Sequence, residues 1–171
     1  MAADIRIKYP STSSTAITIT LASLATSSTL LVGRESTAVE NTNDDLDHLI
    51  SGRITLGTSP TVDKTVAVYV FAPASIATGT PTWPDVMDGT DSAETITSAY
   101  VKFGFLIPLW ASSTDATTDL ALYMPPTSLV AAMGYMPEFY GLFVTHDSAV
   151  NLNATGGNHY LHYHRIQAQT V

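Results

Sequence analysis

The chain contains no cysteine among its 171 residues. This excludes disulfide bonds, thiolate metal sites and cysteine nucleophiles together. Packing and contacts with partners must therefore stabilise the fold, and the redox compartment is left open.

Charged residues are also scarce, and one sign dominates. They make up 13% of the sequence, about half the ~25% of an average soluble domain, and seven Lys and Arg oppose 15 Asp and Glu, for a net charge of −8. An acidic chain with few cations repels a phosphate backbone, which argues against nucleic-acid binding. Ser and Thr supply about a quarter of the residues. A weakly charged surface of this kind suits a subunit that buries much of its exterior, the alternative being an unusually neutral monomer.

Long hydrophobic runs are missing as well. No segment approaches the length of a transmembrane helix, and no apolar stretch follows the basic residues near the start, so we expect neither membrane insertion nor secretion. The length fits one domain. We expect residues 1–14 to form an extended arm and residues 15–171 to form a single β-sandwich domain.

Alternating apolar residues predict a series of strands. The pattern is clean over residues 15–21 and 50–56, whereas residues 64–73 are apolar on both faces, as in a central strand covered on both sides. Residues 99–109 alternate too, and Pro108 makes the end of that strand an edge or a bend. A loop rich in Pro, Gly and Thr separates the last two from residue 73 to about residue 90.

The second half of the chain predicts three more strands and one helix. Residues 120–124 form a short strand that Pro125-Pro126 stops, after which Thr127 or Ser128 caps a helix running to Met133 and ended by Gly134. Residues 138–146 and 159–169 complete the set. The sequence therefore predicts an all-β fold, an antiparallel β-sandwich or jelly roll with one short helix. The last strand has both polar and apolar residues on each face, which is typical of a subunit interface or of a sheet edge with one solvent-exposed face.

The histidines near the end of the chain give the sharpest enzyme-like signal. His162 and His164 share one face of a strand, which suits two metal ligands, and with Gly156 they resemble the start of the first cupin motif. The resemblance then fails, because Gln167, Ala168 and Gln169 stand where that motif has a glutamate. His159 lies on the opposite face, so we predict a structural role for these histidines and no metal site.

Two acidic groups of residues invite comparison with calcium loops. Neither spacing matches an EF-hand, so we interpret both as acidic loops facing water. The first group is Asp85, Asp88, Asp91 and Glu94, and the second is Asp44, Asp45 and Asp47.

Other catalytic patterns are missing. There is neither a Gly-x-Ser-x-Gly elbow nor a phosphate-binding glycine loop. Paired carboxylates for glycoside hydrolysis depend on spatial separation and stay open. Exposed aromatic rings suit a sugar platform, although such residues more often lie in a core or an interface; the candidates are Trp83, Trp110, Tyr123 and Tyr135. We predict no enzyme activity, no catalytic residues and no cofactor.

Four stretches together resemble small virion structural proteins of tailed phages, in particular capsid decoration or cement proteins. They are residues 52–60, 66–73, 84–93 and 153–158, and the resemblance runs over most of the chain from Gly33 onward. It implies a β-sandwich subunit, often a homotrimer, on the outer capsid surface of the virion, with the major capsid protein as its partner. The arm would then order against a neighbour on binding.

Three hypotheses follow. The leading one is a non-enzymatic capsid decoration protein. The alternative is a receptor-binding or carbohydrate-binding β-sandwich module of a phage tail or head fibre, and the third is a metal-dependent cupin-like enzyme. The sequence does not indicate which capsid is bound, at which symmetry position, or whether the protein belongs to the head or the tail. It also does not fix the strand order.

Overall fold

The structure, a computed structural model, describes residues 5–10, 14–77 and 80–170. It contains thirteen strands, two short α-helices and one 3-10 turn in those ranges. The strands are β1 (Ile5–Lys8), β2 (Thr15–Ile17), β3 (Val32–Glu35), β4 (Val39–Glu40), β5 (Asp47–Thr55), β6 (Thr65–Phe71), β7 (Ser75–Ala77), β8 (Thr80–Thr82), β9 (Ala93–Thr95), β10 (Ile107–Ser113), β11 (Ala121–Ser128), β12 (Phe139–His146) and β13 (Tyr160–Thr170). The helices are α1 (Ala99–Phe105) and α2 (Leu129–Met133), and the 3-10 turn is Gly156–Asn158.

Two antiparallel sheets form a curled, half-barrel-shaped β-sandwich. The five-stranded sheet has the order β1-β13-β5-β11, with β2 also paired to β13. The six-stranded sheet has the order β10-β6-β12-β3-β9, with β4 also paired to β12, and β7 and β8 form a separate hairpin. The predicted antiparallel β-sandwich is thus confirmed.

The central position predicted for residues 64–73 is confirmed too. Strand β6 lies between β10 and β12, and its residues are apolar on both faces because both faces are covered. Val66, Val68 and Val70 face the main core between the sheets, whereas Phe71 belongs to a second apolar cluster.

That second cluster lies on the other side of the six-stranded sheet. Phe71 and Phe143 pack there against Met87, Ile96 and Leu106, with Trp83 and Phe105 at its margin. The chain between β6 and β10 supplies this cover. The six-stranded sheet is therefore covered on its outer side by another segment of the same chain, and the two sheets differ in this respect.

The predicted helix is confirmed with its caps. Ser128 is the N-cap of α2 and accepts a hydrogen bond from the Ala131 N–H, while Gly134 ends the helix with a φ of 82°. Asp47 adds to this N-terminus, because its carboxylate accepts hydrogen bonds from the Ser128 hydroxyl and the Val130 N–H.

The expectation of a single helix and of a strand over residues 99–109 is wrong. The first seven of those residues form α1, and the strand β10 starts only at Ile107. Lys102 and Leu106 are buried one helical turn apart, while Phe103 is 77% exposed. The buried residues therefore follow the spacing of a helix, and the alternation of apolar residues in this segment does not reflect burial. Strand β10 does lie at a sheet edge, and its register shifts after Pro108, as expected for a proline there.

Two other boundaries differ from the prediction. Strand β11 continues through Pro125 and Pro126, because the register with β5 shifts between Met124 and Thr127 and accommodates them in a bulge. Strand β2 ends at Ile17, and the next residues form a loop in which Leu21 is still buried.

Part of the predicted arm belongs to the five-stranded sheet. Residues 5–8 form β1, which pairs with the end of β13, from Ile5 opposite Thr170 to Lys8 opposite Gln167. Residues 1–4 and 11–13 of the predicted arm lie outside the described residues. The last strand is not an edge, since β13 has neighbours on both sides.

Candidate functional site

The outer surface of the five-stranded sheet presents a row of aromatic and basic side chains. Ile50, Gly52 and Ile54 of β5 are buried, so the intervening residues of that strand point outward. The register aligns Tyr123, Arg53 and Tyr160 across three strands and aligns Ser51 with His162 and Leu49 with His164. We call this surface the open face and define it as Tyr123, Arg53, Ser51, Tyr160, His162 and His164.

Contacts within the open face order its side chains. The Arg53 guanidinium lies over the Tyr160 ring at 5.4 Å, and its Nε and a terminal nitrogen donate to the carbonyls of Asn158 and Gly157 at 2.9 and 2.8 Å. Tyr160 also stacks on His162, with ring centroids 5.1 Å apart. Tyr123 is 63% exposed. Neighbouring side chains therefore order Tyr160 and His162, and Tyr123 is the most exposed ring of the three.

The two histidines of the cupin-like signal lie on this face, and their contacts are with other open-face residues. His162 is stacked on Tyr160, and His164 Nε2 lies 3.3 Å from the Ser51 hydroxyl. Among the described residues, no three His, Asp or Glu side chains are arranged to hold a metal ion.

His159 is buried elsewhere. Its Nδ1 accepts a hydrogen bond from the Thr55 N–H, and its Nε2 donates to the Asn153 carbonyl at 2.8 Å. Burial lowers the pKa of His159, which agrees with a neutral imidazole that joins strand β5 to the loop before β13.

A buried polar network that the sequence did not predict connects the two sheets. His48 Nε2 donates to Asp45 Oδ2 at 3.0 Å, the Tyr140 hydroxyl lies 2.9 Å from His48 Nδ1, and Tyr163 stacks on the imidazole at 4.4 Å. Arg165 Nε donates to the same Asp45 oxygen at 2.7 Å. The side chains of His48 and Tyr140 are almost or wholly inaccessible, at 1% and 0% exposure.

The protonation states of this network follow from burial and charge. Burial lowers the pKa of His48 in spite of the neighbouring Asp45, and burial raises the pKa of Tyr140. Burial alone would raise the pKa of Asp45, but hydrogen bonds from Arg165 and His48 hold it below its ordinary value. Gln167 lowers the pKa of Asp45 further, by a smaller amount. Asp45 Oδ1 is buried and accepts no hydrogen bond of standard geometry from the described residues. The order Asp–His–Tyr resembles a catalytic relay in chemistry only, since a substrate cannot reach the buried imidazole.

The expectation that Asp44, Asp45 and Asp47 face water is wrong for two of them. Only Asp44 is exposed, whereas Asp45 is paired in the buried network and Asp47 holds the start of α2. Both roles depend on partners far away in sequence, which the local run of acidic residues does not indicate.

The acidic loop after β8 is held by its own carboxylates. Asp91 forms an ion pair with Arg34 at 2.6 Å and accepts from the Thr20 N–H, while Asp85 accepts from the Thr97 hydroxyl at 2.6 Å. Asp88 accepts from Thr90 two residues later. The side chains therefore stabilise the loop and do not converge on one point.

The buried side chain of Glu35 also holds this loop. The sequence analysis did not predict this role. Its side chain is fully buried, and its two oxygens accept hydrogen bonds from the Gly89 and Asp88 N–H groups at 2.7 and 3.2 Å. Burial raises the pKa of Glu35 from 4.5 to about 7, with the nearby Asp88 and Glu94 acting in the same direction. A lone glutamate in the sequence gives no signal for this role.

The four aromatic candidates for a sugar platform separate into two pairs. Trp83 packs edge-on against Phe71 at 5.5 Å, and Trp110 packs against the main core. Tyr123 and Tyr135 are exposed at 63% and 54%. Tyr123 belongs to the open face, and Tyr135 lies in the segment after α2.

An open polar groove of about 480 Å³ lies at one end of the sandwich. Its residues come from four loops and include Gly57, Asp119, Asn151 and Asn153. Asn153 Nδ2 donates to Asp119 Oδ1 at 2.7 Å. A neighbouring pair of carboxylate and amide groups is suited to hydroxyl groups of a ligand.

Within the described ranges, no helix is both long and apolar enough to cross a membrane. Comparison with protein-family models, with curated proteins and with solved structures gives no match to this chain.

Proposed function

We propose that this chain is a non-enzymatic structural protein of a virion, a capsid decoration protein that binds the outer surface of a tailed-phage head. The open face is the observation that carries the proposal. Tyr and Arg are enriched at the centres of protein interfaces, and the face presents two tyrosines around an ordered arginine. In this proposal the chain acts as a homo-oligomer, expected to be a trimer, and the major capsid protein is its partner.

The use of the ionisable side chains supports a structural role. His48, Asp45 and Tyr140 satisfy one another inside the sandwich, and Glu35 and Asp91 hold a loop. Groups that would serve as acids, bases or ligands elsewhere are thus committed to holding the fold together. Symmetric repetition of weak contacts on a particle supplies the stability that one contact lacks.

The polar groove favours a second candidate, a carbohydrate-binding module of a tail or head fibre. Asp119 and Asn153 offer acceptors and donors at its surface, which sugar hydroxyl groups require. Saturable binding in a glycan array, lost in Asp119→Ala, would favour this candidate. Loss of the same signal in Tyr123→Ala would assign the sugar to the open face.

The test of the main proposal is co-sedimentation of the purified chain with expanded tailed-phage heads that lack a decoration protein, followed by imaging of the heads. Regular density on the outer surface at fixed symmetry positions is the expected result. Heads that remain unlabelled, together with saturable glycan binding, would replace the proposal with the second candidate.

A further inference from the structure

The acidic loop after β8 includes a short tip that covers the second apolar cluster, on the outer side of the six-stranded sheet. We call residues 86–90 the tip. Its Met87 side chain is 5% exposed and belongs to that cluster together with Phe71. Gly89 of the tip has a φ of 79°, and a Cβ added there would come within 2.9 Å of the Trp83 ring. Moving the tip outward would therefore expose the cluster.

Three hydrogen bonds fasten the tip to β3 and to the residues that follow it. The two Glu35 oxygens accept from the Gly89 and Asp88 N–H groups at 2.7 and 3.2 Å. The Ala38 N–H donates to the Gly89 carbonyl at 2.9 Å. Glu35 thus supplies two of the three bonds. Because its side chain is fully buried while the tip is in place, lifting the tip would bring water to its carboxyl group.

The chain on either side of the tip is held by other side chains. Before the tip, Asp85 accepts hydrogen bonds from the N–H and the hydroxyl of Thr97 at 3.0 and 2.6 Å. After the tip, Asp91 forms an ion pair with Arg34 at 2.6 Å. A change in the charge of Glu35 would therefore act on the tip and leave both of its ends attached.

The charged groups around Glu35 disfavour its ionised form while the tip is in place. Asp88 of the tip and Glu94 of β9 are both acidic, and each raises the pKa of Glu35. The basic residues of the neighbouring elements are Arg34 of β3 and Lys102 of α1, and both donate to other acceptors. A negative charge at Glu35 would thus be buried beside two others.

Burial has the largest effect on the protonation of Glu35. It outweighs the two N–H groups of the tip, which favour the carboxylate, and raises the pKa from 4.5 to about 7. Strand β12 adds no charge at this point, since Phe143 lies opposite Glu35 in the register. Opening the tip would hydrate the carboxyl group and return its pKa toward the ordinary value. Ionisation therefore favours the open tip over the closed one.

We propose that Glu35 is a pH-dependent latch, whose ionisation releases the tip and exposes the second apolar cluster. The opening is local, because the chain stays attached at both ends of the tip and the main core lies on the other side of the sheet. The latch converts the covered side of the six-stranded sheet into an apolar surface as the pH rises. It does not depend on the proposed function, since it uses neither the open face nor the polar groove.

The lack of cysteine allows the opening to be measured with one introduced thiol. Met87→Cys places the thiol under the tip, and Tyr135→Cys is the matched control at a 54% exposed site. The ratio of their reaction rates with an aromatic disulfide cancels the pH dependence of thiolate formation and reports the open fraction. With a pKa of 4.5 in the open state and about 7 in the closed state, the ratio should rise about 50–100-fold from about pH 5 to about pH 8.

Three variants assign this rise to Glu35 and to the tip. With Glu35→Gln added to Met87→Cys, the ratio should be the same at both pH values, because no charge forms under the tip. Asp88→Asn should make the rise smaller, since it removes one acidic neighbour while its amide oxygen still accepts from the Thr90 N–H. Val68→Cys places a thiol in the main core, where it should stay unreactive at both pH values.

A ratio that stays constant with pH in the chain carrying only Met87→Cys would overturn the proposal, as would a full rise that persists in Glu35→Gln. Reaction of Val68→Cys in step with Met87→Cys would also overturn it, because the opening would then be global. Circular dichroism establishes that each variant is folded. If Glu35→Gln does not fold, an undiminished rise in Asp88→Asn takes its place as the refuting result.

Discussion

Replacing His48 with alanine tests whether the buried network contributes as strongly to stability as its geometry indicates. The change removes the hydrogen bond to Asp45 and the one from Tyr140, together with the stacking of Tyr163. It leaves the Tyr140 hydroxyl unpaired in a fully buried site. Asp45 is less affected, because it retains Arg165.

The magnitude follows from these losses. An unpaired buried hydroxyl costs about 1–3 kcal/mol, and a hydrogen bond to a charged group contributes about 1.5–3 kcal/mol. The aromatic contact adds about 0.5–1.5 kcal/mol. Because such effects are not additive within one network, we expect His48→Ala to lower the free energy of unfolding by about 3–5 kcal/mol.

Urea titration followed by circular dichroism measures this difference, with His162→Ala as the matched control. His162 is only partly buried and has a single ring contact, with Tyr160, so its removal should lower the free energy of unfolding by about 1 kcal/mol or less. Similar values for the two variants would refute the reasoning. Tyr140→Phe should fall between them, at about 1–2 kcal/mol, since it leaves one imidazole nitrogen without its partner.

Three further predictions use the same titration. Glu35 has a raised pKa in the folded state, so stability should fall as the pH rises from about 4.5 to about 7, and Glu35→Gln should flatten that slope; an unchanged slope contradicts the assignment. Gly52→Ala should lower the free energy of unfolding by about 2 kcal/mol, because the new Cβ meets the Tyr160 carbonyl and the Leu161 side chain. Gly104→Ala should raise it by about 0.5–1 kcal/mol, because the new Cβ enters open space beside α1. Ser128→Ala should cost about 1 kcal/mol through loss of the α2 cap, and no loss would refute that role.

Period-two patterns predicted the sheets well where one face is buried. Residues 50–56 gave a strand close to β5, since alternation reports burial directly. Residues 64–73 gave β6 from an apolar run on both faces, as expected for a strand covered on both sides. The same reasoning failed at α1, where Lys102 and Leu106 are buried on one helical side. Contacts with residues distant in sequence stabilise the helix there, because Lys102 Nζ donates to the Leu30 carbonyl and lies over the Tyr69 ring.

The polar networks were beyond sequence analysis for a different reason. Asp45 and His48 are three residues apart, but Tyr140 and Arg165 join them only through the pairing of distant strands. Glu35 likewise reaches the loop at Gly89, which follows 54 residues later. The histidines of β13 were easier, because alternation alone placed His162 and His164 on one face.

The unequal covering of the two sheets is the strongest argument that the open face meets a partner. A sheet face that contacts only water usually carries polar and charged residues at alternate positions along each strand. This protein has few charged residues for such positions. The chain covers the outer side of its six-stranded sheet with Trp83, Met87 and Phe105, but leaves Tyr123 and Tyr160 accessible on the other sheet. Exposed aromatic surface costs free energy that a partner surface recovers on binding. Because Arg53 is fixed by backbone carbonyls before any partner arrives, binding at this face would lose little side-chain entropy.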